Sequence, residues 1–379
     1  MTRLLLFCAG GCFLSLGLLI PAIPVHVTGV LGQGPALVGA CLAVTAVCAV
    51  LARPLAGRLA DRRGRRFAAA AGAALLALTS GAVPWTGSVP SFLACRAVAG
   101  VGEALMYVGL AAAASDHDRP GPALNGFSVA VNAGLLAGAP IAAALAALAG
   151  PGAVWAAAAA VAAIAFAACL FLTGARDGRD GAAAGEQRRS GTGIHRAGLV
   201  PGLAYWASVW GYTAFSAFLP LHLAALGGGS GPHFLVYGCV LLAVRAGGHR
   251  VLARIPAGRT ATAALLLTAA GLVMFVAWPT VAGALWATAV LAAGQALGLP
   301  AFLTMAVTGV PAGQRGSAVA TTTAFFDLGF LSAALALGAV AQSHGLAQGF
   351  AVAACVAGLA PLLLSLHPTR GERHDHPVR

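Results

Sequence analysis

Lysine is absent from this 379-residue chain, and all 22 of its basic side chains are arginine. Acids are scarcer still, ten Asp and Glu in all, and charged residues make up 8% of the sequence against roughly 25% in soluble domains. With 59% of residues apolar, that deficit excludes a water-soluble globular domain and places the chain in a bilayer. Without lysine there is no G-x-x-x-x-G-K-[ST] loop, so ATP-driven pumping by this chain alone is excluded. C-x-x-C pairs are missing too. The eight cysteines (Cys8, Cys12, Cys41, Cys48, Cys95, Cys169, Cys239 and Cys355) lie in apolar stretches. Buried free thiols account for them better than a disulfide framework or a metal site. The acids and histidines are scattered, with no H-E-x-x-H and no nucleophile–base pair, so neither an enzyme nor a cofactor is expected.

What is present is a succession of long apolar runs. A helix needs about 20 apolar residues to cross the hydrocarbon. Twelve spans are predicted near 4–25, 36–57, 67–87, 90–114, 122–148, 152–173, 198–225, 233–253, 260–278, 281–308, 316–341 and 346–366. The eighth is the weakest, because Arg245, His249 and Arg250 crowd its end. The first could be taken for a signal peptide, but it lacks a small-residue cleavage site and more spans follow, so an uncleaved helix is expected.

Arginine is distributed unevenly between the connections. Odd-numbered ones (26–35, 87–90, 149–151, 226–232, 342–345) hold no Arg, Asp or Glu. Even-numbered ones hold Arg58 to Arg66, Arg119, Arg176 to Arg196, Arg254 with Arg259, and Arg315. The positive-inside rule then puts both termini and the even loops in the cytoplasm of a multi-pass cell (inner) membrane protein. This topology explains the net charge of +12, and no nucleic-acid partner is implied.

The longest connection is Gly- and charge-rich and divides the chain into 1–173, a linker 174–197, 198–367 and a tail 368–379. The two long pieces look alike. Pro24-Val25-His26-Val27 recurs as Pro220-Leu221-His222-Leu223, Asn132-Ala133-Gly134 as Asp327-Leu328-Gly329, and Arg53 as Arg245, at offsets of 196, 195 and 192. Two related six-helix bundles are therefore predicted, and one chain supplies both, so a monomer suffices.

The densest charge run is Gly57-Arg58-Leu59-Ala60-Asp61-Arg62-Arg63-Gly64-Arg65-Arg66, read as a short aqueous loop between spans two and three. Its pattern, G-x-L-x-D-R-x-G-R-R, resembles the loop between helices 2 and 3 of the major facilitator superfamily. The fold this resemblance implies is all-α, with twelve transmembrane helices in two pseudo-symmetric bundles. It also implies a conformational switch at Gly57, Asp61, Arg62, Gly64, Arg65 and Arg66, with the aspartate meeting the partner half. Physically, an acid near a helix N-terminus gains from the dipole. The alternative is that the arginines only enforce topology. The second-half counterpart, Gly248 to Arg259, keeps arginines but has no aspartate.

In the fourth span, Arg96-Ala97-Val98-Ala99-Gly100-Val101-Gly102-Glu103 resembles the family's R-x-x-x-G-x-G motif, which is linked to proton transfer in proton-coupled members. A charge inside a membrane helix is costly and should face a cavity or a partner. Glu103 lies two turns, about 10 Å, beyond Arg96 on the same face. Asp327 is the other intramembrane acid, and proton coupling or a central-cavity role is assigned to Arg96, Glu103 and Asp327. Structural pairing is the alternative for each.

In the fifth span, Gly134 to Pro140 approximates the antiporter signature G-x-x-x-G-P-x-x-G-G, with the proline one place late and Ala143 and Ala144 in place of the closing glycines. Gly100, Gly102, Gly134, Gly138 and Pro140 are assigned to helix packing. The seventh span is rich in aromatics, and Tyr107, Trp210 and Gln295 are cavity candidates. An apolar, aromatic lining suits a hydrophobic or amphipathic substrate.

Taken together, these features predict a secondary transporter that exports small organic molecules against proton influx by alternating access. Its partners are protons, a small-molecule substrate and the lipid bilayer. The alternatives are a proton symporter importing a sugar or organic acid, and a non-transporting receptor.

Overall fold

The structure, a computed structural model, describes residues 2–117, 120–172, 195–252, 255–311 and 314–365. Most of the predicted linker and all of the predicted tail lie outside the described residues.

Twelve helical spans are present among the described residues. The first six are α1 (Thr2–Gly29), α2 (Pro35–Arg63), α3 (Arg65–Ala82), α4 (Val89–Ser115), α5 (Pro120–Ala149) and α6 (Pro151–Cys169). The seventh is built in three pieces: α7a (Leu199–Thr213), a five-residue π-helical turn (Ala214–Phe218) and α7b (Leu219–Ala225). Then follow α8 (Gly231–Leu252), α9 (Ala257–Ala277), α10 (Val281–Val307), α11 (Arg315–His344) and α12 (Leu346–Ser365). Ten of these are long and apolar enough to cross a membrane without interruption; α8 qualifies only as a shorter apolar helix, Gly231–Gly247. Among the described residues there is no strand.

Local chemistry sets the ends. Proline stands in the first turn of α2, α4 and α6, where its missing N–H costs nothing. Ser88 caps α4 in a reciprocal box with Ser91, and Thr280 Oγ1 accepts from the Gly283 N–H at the head of α10. The widened turn in the seventh span comes just before Pro220, whose ring would clash with the carbonyl one turn back in a regular helix. Inside the spans, hydroxyls are satisfied by carbonyls a turn earlier: Thr45 by Cys41, Thr268 by Ala264, Thr288 by Ala284 and Thr322 by Ala318. In a medium with no water, that self-bonding lets polar residues sit in a membrane helix.

By compactness the chain divides into two units. The first comprises Met1–Asp180, Thr213–Gly238 and Leu331–Gly349; the second comprises Gly181–Tyr212, Cys239–Phe330 and Phe350–Arg379. In the first unit, α1 and α5 meet backbone to backbone. A Cβ on Gly134 would lie 2.6 Å from the Gly10 carbonyl oxygen, and one on Gly17 would lie 2.7 Å from that of Leu135. Gly138 abuts the backbone of Gly17 and Leu18. In α4, Gly100 faces Thr45 and Cys48 of α2, while Gly102, on the opposite side, faces Gly72 and Leu75 of α3. Ser15 Oγ donates to the Ala158 carbonyl at 2.9 Å and ties α1 to α6. The apolar core between these helices holds Phe13, Leu76, Met106, Leu110 and Phe127.

This unit also takes in the ends of four helices from the second half of the chain, those of the seventh span, α8, α11 and α12. Phe215 of the π-turn stacks on Tyr237 of α8 with ring centroids 4.5 Å apart. The first turns of α2 meet the last turns of α11, where a Cβ on Gly338 would come within 3.0 Å of the Pro35 carbonyl oxygen and 3.2 Å of Gly39 Cα.

The second unit repeats the first one's packing. Gly294 of α10 seats on the Ala264 oxygen and the Thr268 nitrogen of α9, as Gly102 seats on the Gly72 oxygen and the Leu76 nitrogen. Every partner is displaced by the same 192 residues. Gly329 of α11 seats on Trp206 of α7a as Gly134 seats on Gly10.

Overpacking a tight contact costs about 1–3 kcal/mol. Gly134→Val should therefore lower the melting temperature and the monodisperse yield in detergent. Gly57→Ala, whose new methyl meets nothing within 4 Å, should leave both unchanged. Equal melting temperatures for the two variants would refute the seam.

Candidate functional site

The charge run between α2 and α3 is helical almost throughout. The sequence predicts a ten-residue loop there, but α2 continues through Arg63 and α3 begins at Arg65, leaving Gly64 alone between them. Gly64 has φ +91°, a left-handed conformation that glycine adopts without strain. Ala and Arg are good helix formers, so charge ends the membrane span without ending the helix.

That correction moves Asp61. It lies in the last turn of α2, and Asp116 follows the end of α4. Carboxylates are disfavoured at helix C-termini, and a cation is disfavoured at a helix N-terminus, where Arg65 sits. The three groups relieve one another. Arg65 Nη1 donates to Asp61 Oδ1 at 2.6 Å, and its Nε donates to Asp116 Oδ2 at 3.0 Å. Both of these ion pairs lie within the first six helices. Arg62 and Arg66 are exposed, and Arg63 lies over the Phe67 ring at 5.2 Å. Asp116 was missed by sequence reasoning. The signal for it is an acid immediately after the last apolar residue of a span, level with the arginine run.

The second group lies on α4. Arg96, Glu103 and Tyr107 are spaced seven and four residues apart, which puts them in one file along the helix. Arg96 is buried at 5% exposure, and its Nε has no hydrogen-bond partner among the described residues. Glu103 is half-buried. Tyr107 is exposed, with its ring edge-on to Phe13 of α1 and Phe127 of α5. Gly100, Gly102, Gly134 and Gly138 are the close-contact residues described above, and Pro140 lies inside the unbroken α5.

The third group is in the second unit. Gln295 Nε2 donates to the Ser208 carbonyl at 3.0 Å and to Thr268 Oγ1 at 3.3 Å, joining α10 to α7a and α9. Trp210, a cavity candidate, is buried against Trp206 with centroids 5.3 Å apart. Asp327 is half-buried on α11.

The repeat brings out a relation that single motifs conceal. The residue after Gly102 is Glu103, and the residue after Gly294 is Gln295. Two residues before Gly134 is Asn132, and two before Gly329 is Asp327. Each intramembrane acid thus has its amide counterpart at the matching place in the other half.

Among the described residues, twelve helices, ten of them apolar enough to span unaided, with Glu103, Asp327 and the buried Arg96 inside their apolar stretches, are the frame of a polytopic membrane carrier. The chain belongs to the Major Facilitator Superfamily, whose family model matches residues 5–292. It is therefore a transporter and a multi-pass membrane protein. It is 29% identical over 368 residues to an uncharacterized MFS-type transporter of Burkholderia mallei (strain SAVP1), covering 93% of this chain and 88% of that protein. The crystal structure of the nucleoside transporter NupG superposes with a TM-score of 0.77 at 13% identity, covering 96% of this chain and 99% of that one. The crystal structure of a D-xylose-proton symporter gives a TM-score of 0.72 at 16% identity, covering 96% of each chain. At those identities the structures testify to the fold alone.

The Arg65–Asp61 pair is about a third exposed (29% and 34%), so it contributes at most ~1 kcal/mol. Asp61→Asn should therefore insert and fold normally while slowing turnover severalfold. Wild-type turnover in vesicles with matched protein content would remove this cluster from the working cycle.

Proposed function

We propose that this protein exports small organic molecules across the cell (inner) membrane by alternating access, in exchange for entering protons. In this reading the six-helix pieces 1–173 and 198–367 are the moving bodies, joined by a cytoplasmic linker, with both termini cytoplasmic. The observation that carries the proton is the exchange of acid for amide across the repeat. Gln295 occupies, on a helix packed in the same register, the place that Glu103 occupies in the first half. A neutral hydrogen-bonding side chain of that size therefore fits the scaffold, and a protonated Glu103 has the same shape and polarity as its amide counterpart. Asp327 and Asn132 repeat the relation. An acid in low dielectric has its pKa raised, which suits reversible protonation.

Alternating access needs a contact that closes one end and then parts. The Gly39–Gly338 meeting of α2 and α11 suits that task, because it joins a first-half helix to a second-half helix through close backbone contact. The charge cluster of Asp61, Arg65 and Asp116 suits a switch at the opposite end of α2, since each of its charges sits at the helix end that disfavours it. Export is favoured over import by the Gly134 to Pro140 stretch of α5, whose glycines make the α1 seam. Tyr107 with Phe13 and Phe127 offers an aromatic surface for amphipathic substrates.

Everted membrane vesicles acidified inside by respiration, with a pH-sensitive dye, provide the test. Protein-dependent dissipation of the gradient by one compound class among amphipathic drugs, siderophores, sugars and amino acids is the expected result. Uptake driven in the proton's own direction would instead establish a symporter. Glu103→Gln should abolish gradient-driven movement and spare gradient-independent exchange. Undiminished uphill transport by that variant would take Glu103 out of the coupling.

A further inference from the structure

Arg96 is not needed by the scaffold that surrounds it. Its repeat-related position on α10 is Thr288, 192 residues on, which is fully buried and satisfied by its own helix through a 2.8 Å bond to the Ala284 carbonyl. A small hydroxyl thus fills the same register in a half that packs the same way. In the first half the place holds a guanidinium, 5% exposed, beside α2. Among the described residues no carboxylate makes a direct ion pair with it. The thiols of Cys41 and Cys95 lie close, and Glu103 acts on it through space from two turns away. The Thr45 hydroxyl, on the same side of α2, is committed to the Cys41 carbonyl at 2.9 Å. Arginine carries five N–H donors and does not shed its proton in proteins. A buried cation whose Nε has no partner among the described residues is costly to keep unless something supplies the counter-charge.

We infer that Arg96 is an anion-binding residue, and that the transported molecules carry an oxyanion, a carboxylate or a phosphonate-type group, that docks on its planar fork. The flat, forked guanidinium matches such groups through two parallel hydrogen bonds, which a lysine ammonium does not reproduce. The inference rests on the reading of the chain as a carrier of small organic molecules. It fixes their charge class and is independent of the direction of transport.

The test is binding without a gradient. Purified protein in nanodiscs of phosphatidylcholine is titrated with benzoate, phenylphosphonate and, as the neutral match, benzamide, following the melting temperature. The two anions should stabilise the protein and benzamide should not. Arg96→Gln should abolish the effect, and Arg96→Lys should weaken the anions by roughly tenfold. Should Arg96→Gln fail to fold, Arg96→Lys decides the matter alone, since undiminished affinity for planar anions there would overturn the assignment. It is equally overturned if benzamide stabilises as well as benzoate, or if neither anion stabilises the wild type. Discs containing phosphatidylglycerol form the remaining arm. Stabilisation by that lipid, dependent on Arg96 and unmatched by soluble anions, would give the site to a headgroup instead. None of these readings involves a proton gradient, so failure of the exporter assignment leaves them standing, and the reverse also holds.

Discussion

Helices in a bilayer gain nothing from hiding apolar side chains from one another, because the lipid is just as apolar. What holds them is close contact, and the closest contact is between backbones. This chain's 51 glycines supply it. Gly10, Gly17, Gly134 and Gly138 join α1 to α5; Gly72 and Gly102 join α3 to α4; Gly294 joins α10 to α9. The rest of the structure depends on these seams. They set helix distances too short for side chains, and so decide which faces of α4 and α10 remain for other work. Self-satisfied hydroxyls are part of the same economy, since a threonine bonded to its own helix can lie in a seam without a partner across it.

Charge is rare in this chain, and several of its charges sit where local structure opposes them. Asp61 and Asp116 occupy helix C-termini, Arg65 a helix N-terminus, Arg96 a buried helix face and Glu103 an apolar span. At the helix ends the opposition is resolved by pairing. Inside the span it is not resolved by hydrogen bonding around Arg96. The two places thus differ: at the helix ends opposite charges meet directly, and within the span the Arg96 Nε meets no partner among the described residues.

Much of the architecture was legible in the residues. Span count and approximate bounds follow from apolar length, and the internal repeat was visible in three short matches. That repeat proved to have structural content, since the packing partners of Gly102 and Gly294 keep the same displacement. The charge run was misjudged, because hydropathy marks where lipid ends and not where hydrogen bonding ends. Arginine and alanine carry α2 through to Arg63. The π-turn before Pro220 was not foreseen, since its counterpart in α1 carries Pro21 and Pro24 without one. The α2–α11 contact escaped for a simpler reason: with glycine at so many positions, no pattern tells which ones touch. Asp116 needed a partner from 51 residues away to show its importance, a relation that no local motif contains.

The dipeptides Gly102-Glu103 and Gly294-Gln295 have a consequence for how such a protein can change. Successive residues on a helix point about 100° apart, so each pair gives one residue to the neighbouring helix and the next to a different face. Drift at the second position leaves the first untouched. A duplicated chain built this way can explore acid against amide, one half at a time, without renegotiating its assembly. Chemistry and framework thus occupy adjacent positions yet face different surroundings.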